Sequence, residues 1–108
     1  MTSETANSTR QAVSALMADQ RFAVLATRSD GDVLLSLMSI VATQDLTTIL
    51  FATERDTRKF THLSANRRVA MLVDNRSNDE ADLTDAIAVS IRGSATELPA
   101  DERQVALE

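Results

Sequence analysis

The ten-residue run VLLSLMSIVA, residues 33–42, sets the strongest limit on how this chain can fold. In an extended strand successive side chains alternate between faces. Val33, Leu35, Leu37 and Val41 then share one face, and Leu34, Met38 and Ile40 share the other. A strand apolar on both sides must be covered twice. That predicts a barrel interior on one side and a helix or a partner subunit on the other. The preceding residues supply the strand's neighbour. FAVLAT (22–27) is a second apolar run, and Ser29-Asp30-Gly31-Asp32 between the two carries Asp-Gly, a strong hairpin signal.

The rest of the chain continues in the same style. Residues 1–8 are polar and expected to be frayed, with Ser8 or Thr9 capping a first helix whose narrow stripe is Val13, Leu16, Met17 and Gln20. A polar turn at Gln44-Asp45 precedes a strand over 47–53, TTILFAT. Residues 54–66 read as helical, with Asp56 or Thr57 as N-cap, Asn66 as the stop, and Phe60, Leu63 and Ser64 turned inward. A strand over 69–74 leads to an acidic loop, residues 75–85, read as a solvated hairpin loop because it lacks the ligand spacing of a calcium loop. A long strand over 86–98 follows, in which Gly93 suggests a bulge or a close backbone approach, and a last helix begins at Pro99. Hairpins dominate. The economical architecture is one mainly-β domain over residues 1–108, a small β-barrel with peripheral helices.

Composition removes several classes of function. A net charge of −5 disfavours nucleic acid, which needs a basic surface. The absence of cysteine excludes disulfides, thiolate chemistry and cysteine-bound zinc, and a single histidine, His62, excludes a multi-histidine metal site within one chain. No apolar run approaches the roughly 18 residues of a membrane span, and the start has no signal-peptide pattern, so a cytoplasmic protein is expected.

The feature with most chemistry is a strand ending in Thr53, followed by Arg58-Lys59 at the start of a helix. A helix start offers unpaired N–H groups and the positive end of the dipole, both of which attract an anion. Arginine adds a planar fork and lysine a mobile point charge, while Thr53 and Thr57 can donate hydroxyl hydrogen bonds to a phosphate monoester. A charge pair is a weak signal, and spacing alone favours Arg58 and Lys59 merely solvating a surface helix. His62, one turn on from Arg58, could approach the same anion or act as a proton donor, though such a histidine is more often a solvated helix residue.

The segment ILFATERDTRKFTHLSANRRVAMLV (49–73) resembles the central block of the pyridoxamine 5′-phosphate oxidase-like family: a strand ending in Thr, a turn, an Arg-Lys pair, a helix, an Asn-Pro-Arg-type turn and another strand. ATRSDGDVLLSLMSIVA (26–42) and VSIRGSATEL (89–98) fit the same pattern. The resemblance implies an FMN-binding split barrel that dimerises with FMN at the subunit interface. It places Arg58 and Lys59 on the FMN phosphate and Ala52 and Thr53 beside the ribityl chain or ring. Contacts from the 36–42 strand would come through Ser36 or Ser39, which lie on opposite faces.

Some positions depart from the family. Leu37 and Ala42 stand where true pyridoxamine 5′-phosphate oxidases carry Arg and Lys, and Arg67 stands where Pro is usual. The Arg- and His-bearing segment that recognises a pyridoxal-type substrate is not found before Glu108, so vitamin-B6 oxidation is not expected, and the chain is either a minimal member or a shortened one. The resemblance implies a flavin-dependent oxidoreductase acting on a small molecule. The alternatives are a non-catalytic flavin or haem carrier, a deazaflavin protein, and a cofactor-free dimer.

Overall fold

Two strands, β1 (Phe22–Ser29) and β2 (Asp32–Ser39), pair antiparallel from Phe22↔Ser39 to Ser29↔Asp32. Asp30 and Gly31 join them with φ of 49° and 81°. Positive φ at both central residues makes a primed turn whose twist matches the flanking strands, which is what Asp-Gly favours. The computed structural model describes residues 3–98, with side chains from residue 7 onward. In chain order the other elements are α1 (Ser3–Asp19), β3 (Val41–Ala42), β4 (Ile49–Leu50), α2 (Arg58–Ala65), β5 (Arg68–Asp74), α3 (Asp82–Asp85) and β6 (Ala88–Ser94).

Strands β2, β1, β5 and β6 form one antiparallel sheet in that order, and β3 pairs with β4 in a separate hairpin. The fold is mainly antiparallel sheet with a few helices, as expected of a split barrel, and the two sheets stay separate rather than closing. The inner face carries Ala23, Leu25 and Thr27 on β1, Met38 on β2, and Met71 and Val73 on β5, all buried. Leu16 and Met17 of α1 and Ile40 complete the core, with Val13, Ala42, Leu46, Ile49 and Phe51 packed against it. The helix and the small hairpin therefore cover the inner face. The outer face keeps Val33, Leu35 and Leu37 between 65% and 72% exposed, with Phe22, Val41 and Leu72 also exposed.

Several expectations need correction. The first helix begins at Ser3, not at a cap near residue 8. Ser, Glu and Thr are tolerable helix residues, and adding one turn to an existing helix costs little. The 33–42 run is not one strand: it breaks at Ile40, whose N–H bonds to the Arg21 carbonyl, and Val41–Ala42 turns away to pair with β4. The strand over 47–53 shrinks to Ile49–Leu50, because β3 offers only two residues to pair with. Helix α2 starts at Arg58 rather than 54, and Ser64 is exposed, its hydroxyl bonded back to the Phe60 carbonyl. Gly93 neither bulges nor meets a neighbour. Its strand pairs with β5 without a break, and a Cβ there would meet nothing within 4 Å. The acidic loop contains α3, where the Asp82 carboxylate accepts the N–H groups of Ser77, Asn78 and Asp79. The helix expected from Pro99 lies outside the described residues.

Candidate functional site

Helix α2 lies against β1, and its start is built by threonine. Thr57 is extended (φ −104°, ψ 155°), and its hydroxyl oxygen accepts the Phe60 N–H at 3.2 Å while its O–H donates to the Glu54 carbonyl at 2.9 Å. That is an N-cap, and it satisfies one donor of the first turn. The Thr53 hydroxyl lies 3.4 Å from that of Thr57. At the other end the Asn66 N–H bonds to the His62 carbonyl, so the helix stops where expected.

The cations of the first turn reach β2. Lys59 is half-buried, and its Nζ lies 3.2 Å from the Met38 sulfur, a weak acceptor that leaves most of its donor capacity for an anion. Arg58 extends to the hairpin end, where its Nη2 donates to the Asp32 carboxylate at 2.7 Å. Both partners of that pair are at least half exposed, so it is worth little in stability. Its effect is on charge, because it places a carboxylate beside the guanidinium.

Asp32 is also the end of a buried chain. His62 Nε2 sits 3.0 Å from the same carboxylate oxygen, and Nδ1 sits 3.2 Å from the Thr27 hydroxyl. An ionised carboxylate can only accept, so Nε2 carries a proton, and in the neutral ring Nδ1 accepts from Thr27. His62 is only 5% exposed and Thr27 2%. The expectation of a solvated His62 is wrong. The face of α2 that meets β1 carries His62, and its polar atoms are satisfied from two strands. The Arg58 hydrogen bond holds the Asp32 carboxyl below its ordinary value, against the effect of burial, with the His62 hydrogen bond and the guanidinium charge adding to the lowering.

Around the start of α2 the structure thus gathers Arg58, Lys59, Thr53 and Thr57, with Ala52 exposed just before them. Ser36 is half-buried on the inner face of β2, one pleat step from the Met38 that touches Lys59. Ser39 lies exposed on the opposite face, away from this group. Asp32, Thr27 and His62 belong to the same neighbourhood; the helical spacing from Arg58 picks out His62, but no sequence pattern singles out Asp32 or Thr27. Asp32 reads as a turn residue, and Thr27 and His62 meet only through tertiary packing.

The donor types fit the phosphate of a flavin mononucleotide: two cations, first-turn N–H groups and two hydroxyls stand at one helix start, while the Asp32 carboxylate on Arg58 opposes an anion. Among the described residues, no group of three or more acidic or histidine side chains is placed to hold a metal, and no helix is long and apolar enough to cross a membrane.

One solved structure is similar to this chain at a TM-score of 0.75 and 20% identity, over 93% of this chain and 66% of that one. At that identity the likeness shows the fold alone, and the chain spans about two thirds of the length of the solved chain it matches. No curated protein matches it. The family described as pyridoxamine 5′-phosphate oxidase matches residues 9–107, from within α1 to past β6. A match of that extent goes beyond likeness of fold, and on it the chain belongs to the pyridoxamine 5′-phosphate oxidase-like family, whose members generally bind flavin.

Proposed function

We propose that this protein binds FMN and acts as a flavin-dependent oxidoreductase on a small molecule, with reduced nicotinamide or a similar donor as the source of electrons. The observation that supports the reading is the start of α2, where Arg58 and Lys59 follow the Thr57 N-cap and the Thr53 hydroxyl lies 3.4 Å from that of Thr57. Bound there, the flavin would supply the hydride or electron transfer, and the protein would supply position and field. Lys59, freed from the Met38 sulfur by a short rotation, would take the phosphate as a point charge. Arg58 would share itself between the phosphate and Asp32. Ala52 presents no bulk and would let the ribityl chain pass close to the backbone.

The same reading takes the exposed apolar part of the outer face on β2, with Leu35 and Leu37 at its centre, as the contact with a second copy of the chain. The flavin would then lie at the subunit interface, beside the edge strand β2. Leu37 and Ala42, in place of a family Arg and Lys, point away from a pyridoxamine phosphate substrate.

A second reading is favoured by the Asp32–Arg58 pair, which removes part of the positive field a dianion needs. In it the protein is a carrier with modest flavin affinity and no turnover. A visible absorption spectrum, taken before and after incubation with FMN and desalting, tests the flavin itself. A retained flavin spectrum supports the proposal, and a colourless protein that cannot be reloaded refutes it. Oxidation of reduced nicotinamide by the loaded protein separates enzyme from carrier.

A further inference from the structure

The outer face of the four-stranded sheet holds a concavity that flavin binding at α2 does not use. Its volume is about 400 Å³, and Ala26, Ala70, Val33, Arg28, Arg68 and Arg92 line it together with Thr27 and Val69. The register explains how residues so far apart in sequence converge. Ala26 on β1 pairs with Ala70 on β5, and Ala70 pairs with Arg92 on β6. Two residues along each strand from that alanine pair stand Arg28 and Arg68, which the continued register sets side by side. All five share one face of the sheet. The two alanines make a low floor where strands ordinarily carry branched or aromatic residues. Three guanidinium groups and Val33 stand around it.

The charge of this dish is one-sided. No aspartate or glutamate lines it. Among the described residues, the ion pairs involve Arg55, Arg58, Arg76 and His62, and none involves Arg28, Arg68 or Arg92. Arg68 is turned along the sheet, its Nη1 donating to the Ser94 hydroxyl at 3.4 Å. Like charges at neighbouring cross-strand positions repel. In a chain of net charge −5, three arginines with no ion pair among the described residues are a concentration of charge that an anion would relieve.

We propose that Arg28, Arg68 and Arg92 form a second anion site, which takes the phosphate monoester group of a small molecule whose apolar body lies on Ala26, Ala70 and Val33. The volume suits a small ligand rather than a macromolecule. Three guanidinium forks match a dianion with several oxygens better than a single carboxylate. The site lies on the face of the sheet opposite α2 and shares no residue with the proposed flavin phosphate site.

The test is isothermal titration calorimetry of the full chain at low salt in phosphate-free buffer, with phenyl phosphate, inorganic phosphate, benzoate and FMN as probes. Phenyl phosphate should bind more tightly than inorganic phosphate, because of its ring, and more tightly than benzoate, because of its second charge. The double variant Arg28→Gln/Arg92→Gln should weaken phenyl phosphate by about ten- to a hundredfold, the loss expected for charge-assisted hydrogen bonds, and leave FMN affinity unchanged. Arg28→Lys/Arg92→Lys, which keeps charge but not the fork, should weaken it less. Arg58→Gln/Lys59→Gln, which removes the proposed flavin phosphate site, should leave one phenyl phosphate site with its affinity intact, so failure of the flavin reading would show separately.

Absence of phenyl phosphate binding to the unaltered protein would overturn the proposal, as would retained affinity in the Arg28→Gln/Arg92→Gln variant. Benzoate binding as tight as phenyl phosphate would overturn the phosphate assignment. Parallel loss of FMN would make the dish the flavin's own phosphate site rather than a second one. A change of oligomeric state with phenyl phosphate affinity intact would assign the arginines to carboxylates of another copy, which also overturns the proposal.

Discussion

Replacing Thr27 and His62 separately and then together tests whether the buried chain behind Asp32 is a coupled unit. Thr27→Val keeps the shape and removes the hydroxyl. His62 Nδ1 is then buried without a donor, which costs about 1–3 kcal/mol. His62→Leu leaves the Thr27 hydroxyl, 2% exposed, with no partner and costs a similar amount, about 1–3 kcal/mol. In the double variant both polar groups are gone and neither is orphaned. The loss should then fall short of the sum of the singles by about 1–2 kcal/mol. Urea unfolding followed by far-UV circular dichroism measures each value, provided the four proteins share one m-value. If the single losses add to within about 0.5 kcal/mol, the 3.2 Å contact between Thr27 and His62 is not an interaction that matters.

Other substitutions test the sites. Asp32→Asn removes the carboxylate that neutralises Arg58 and should tighten FMN binding in a fluorescence titration; weaker binding would mean that Asp32 orients Arg58 instead of competing with the phosphate. Leu35→Glu/Leu37→Glu places charges on the exposed apolar face and should give a monomer by light scattering, while a dimer of unchanged mass would move the subunit contact elsewhere. Leu25→Ala empties a fully buried position and should cost about 2–5 kcal/mol in urea unfolding; a smaller loss would mean that the sheet collapses onto α1. Asp82 accepts hydrogen bonds from Ser77 and its neighbours, which lower its pKa from 3.8. A carboxyl lowered by folding contributes stability that is complete above its unfolded pKa and lost as pH falls through the folded one. Asp82→Asn should therefore be less stable than the unaltered protein near neutral pH, and the gap should close in acid unfolding below about pH 4; a constant gap would show that the charge of Asp82 is irrelevant.

What could be read in the sequence were features set by near neighbours along the chain. Asp30-Gly31 specified its turn because only certain residues take positive φ there without strain, and Thr57 specified a helix start because its hydroxyl reaches the N–H three residues on. The division of 33–42 into two faces also held, since Leu34, Met38 and Ile40 lie on the inner side and Val33, Leu35, Leu37 and Val41 are exposed. The break at Ile40 left no trace, because the alternation runs on through it in the same phase and neither Pro nor Gly marks the spot. His62 was misread for a related reason. On helix periodicity it is one polar residue among several, and only the docking of α2 on β1 buries it against a threonine 35 residues away. The basic pair of α2 was visible because its members are adjacent in sequence. The three arginines of the outer face were not, since each stands alone on its own strand and only the order β1-β5-β6 brings them together.

Two cationic centres therefore flank the same end of one sheet, and their surroundings decide what each can hold. Arg28 pairs across the hairpin with Val33, next to the Ser29↔Asp32 pair, so the outer dish and the Asp32–Arg58 contact are near neighbours along the strands. They face opposite sides. The difference between them is local. On the α2 side a carboxylate already satisfies the guanidinium, so an arriving phosphate must displace or share it, and binding there leans on Lys59 and the helix start. On the outer side no carboxylate competes, and the whole attraction of three guanidinium groups is available to the first dianion that fits above Ala26 and Ala70. A flavin phosphate held mainly by Lys59 should accordingly lose more affinity on Lys59→Gln than on Arg58→Gln, an asymmetry that equal partnership of the two residues would not produce.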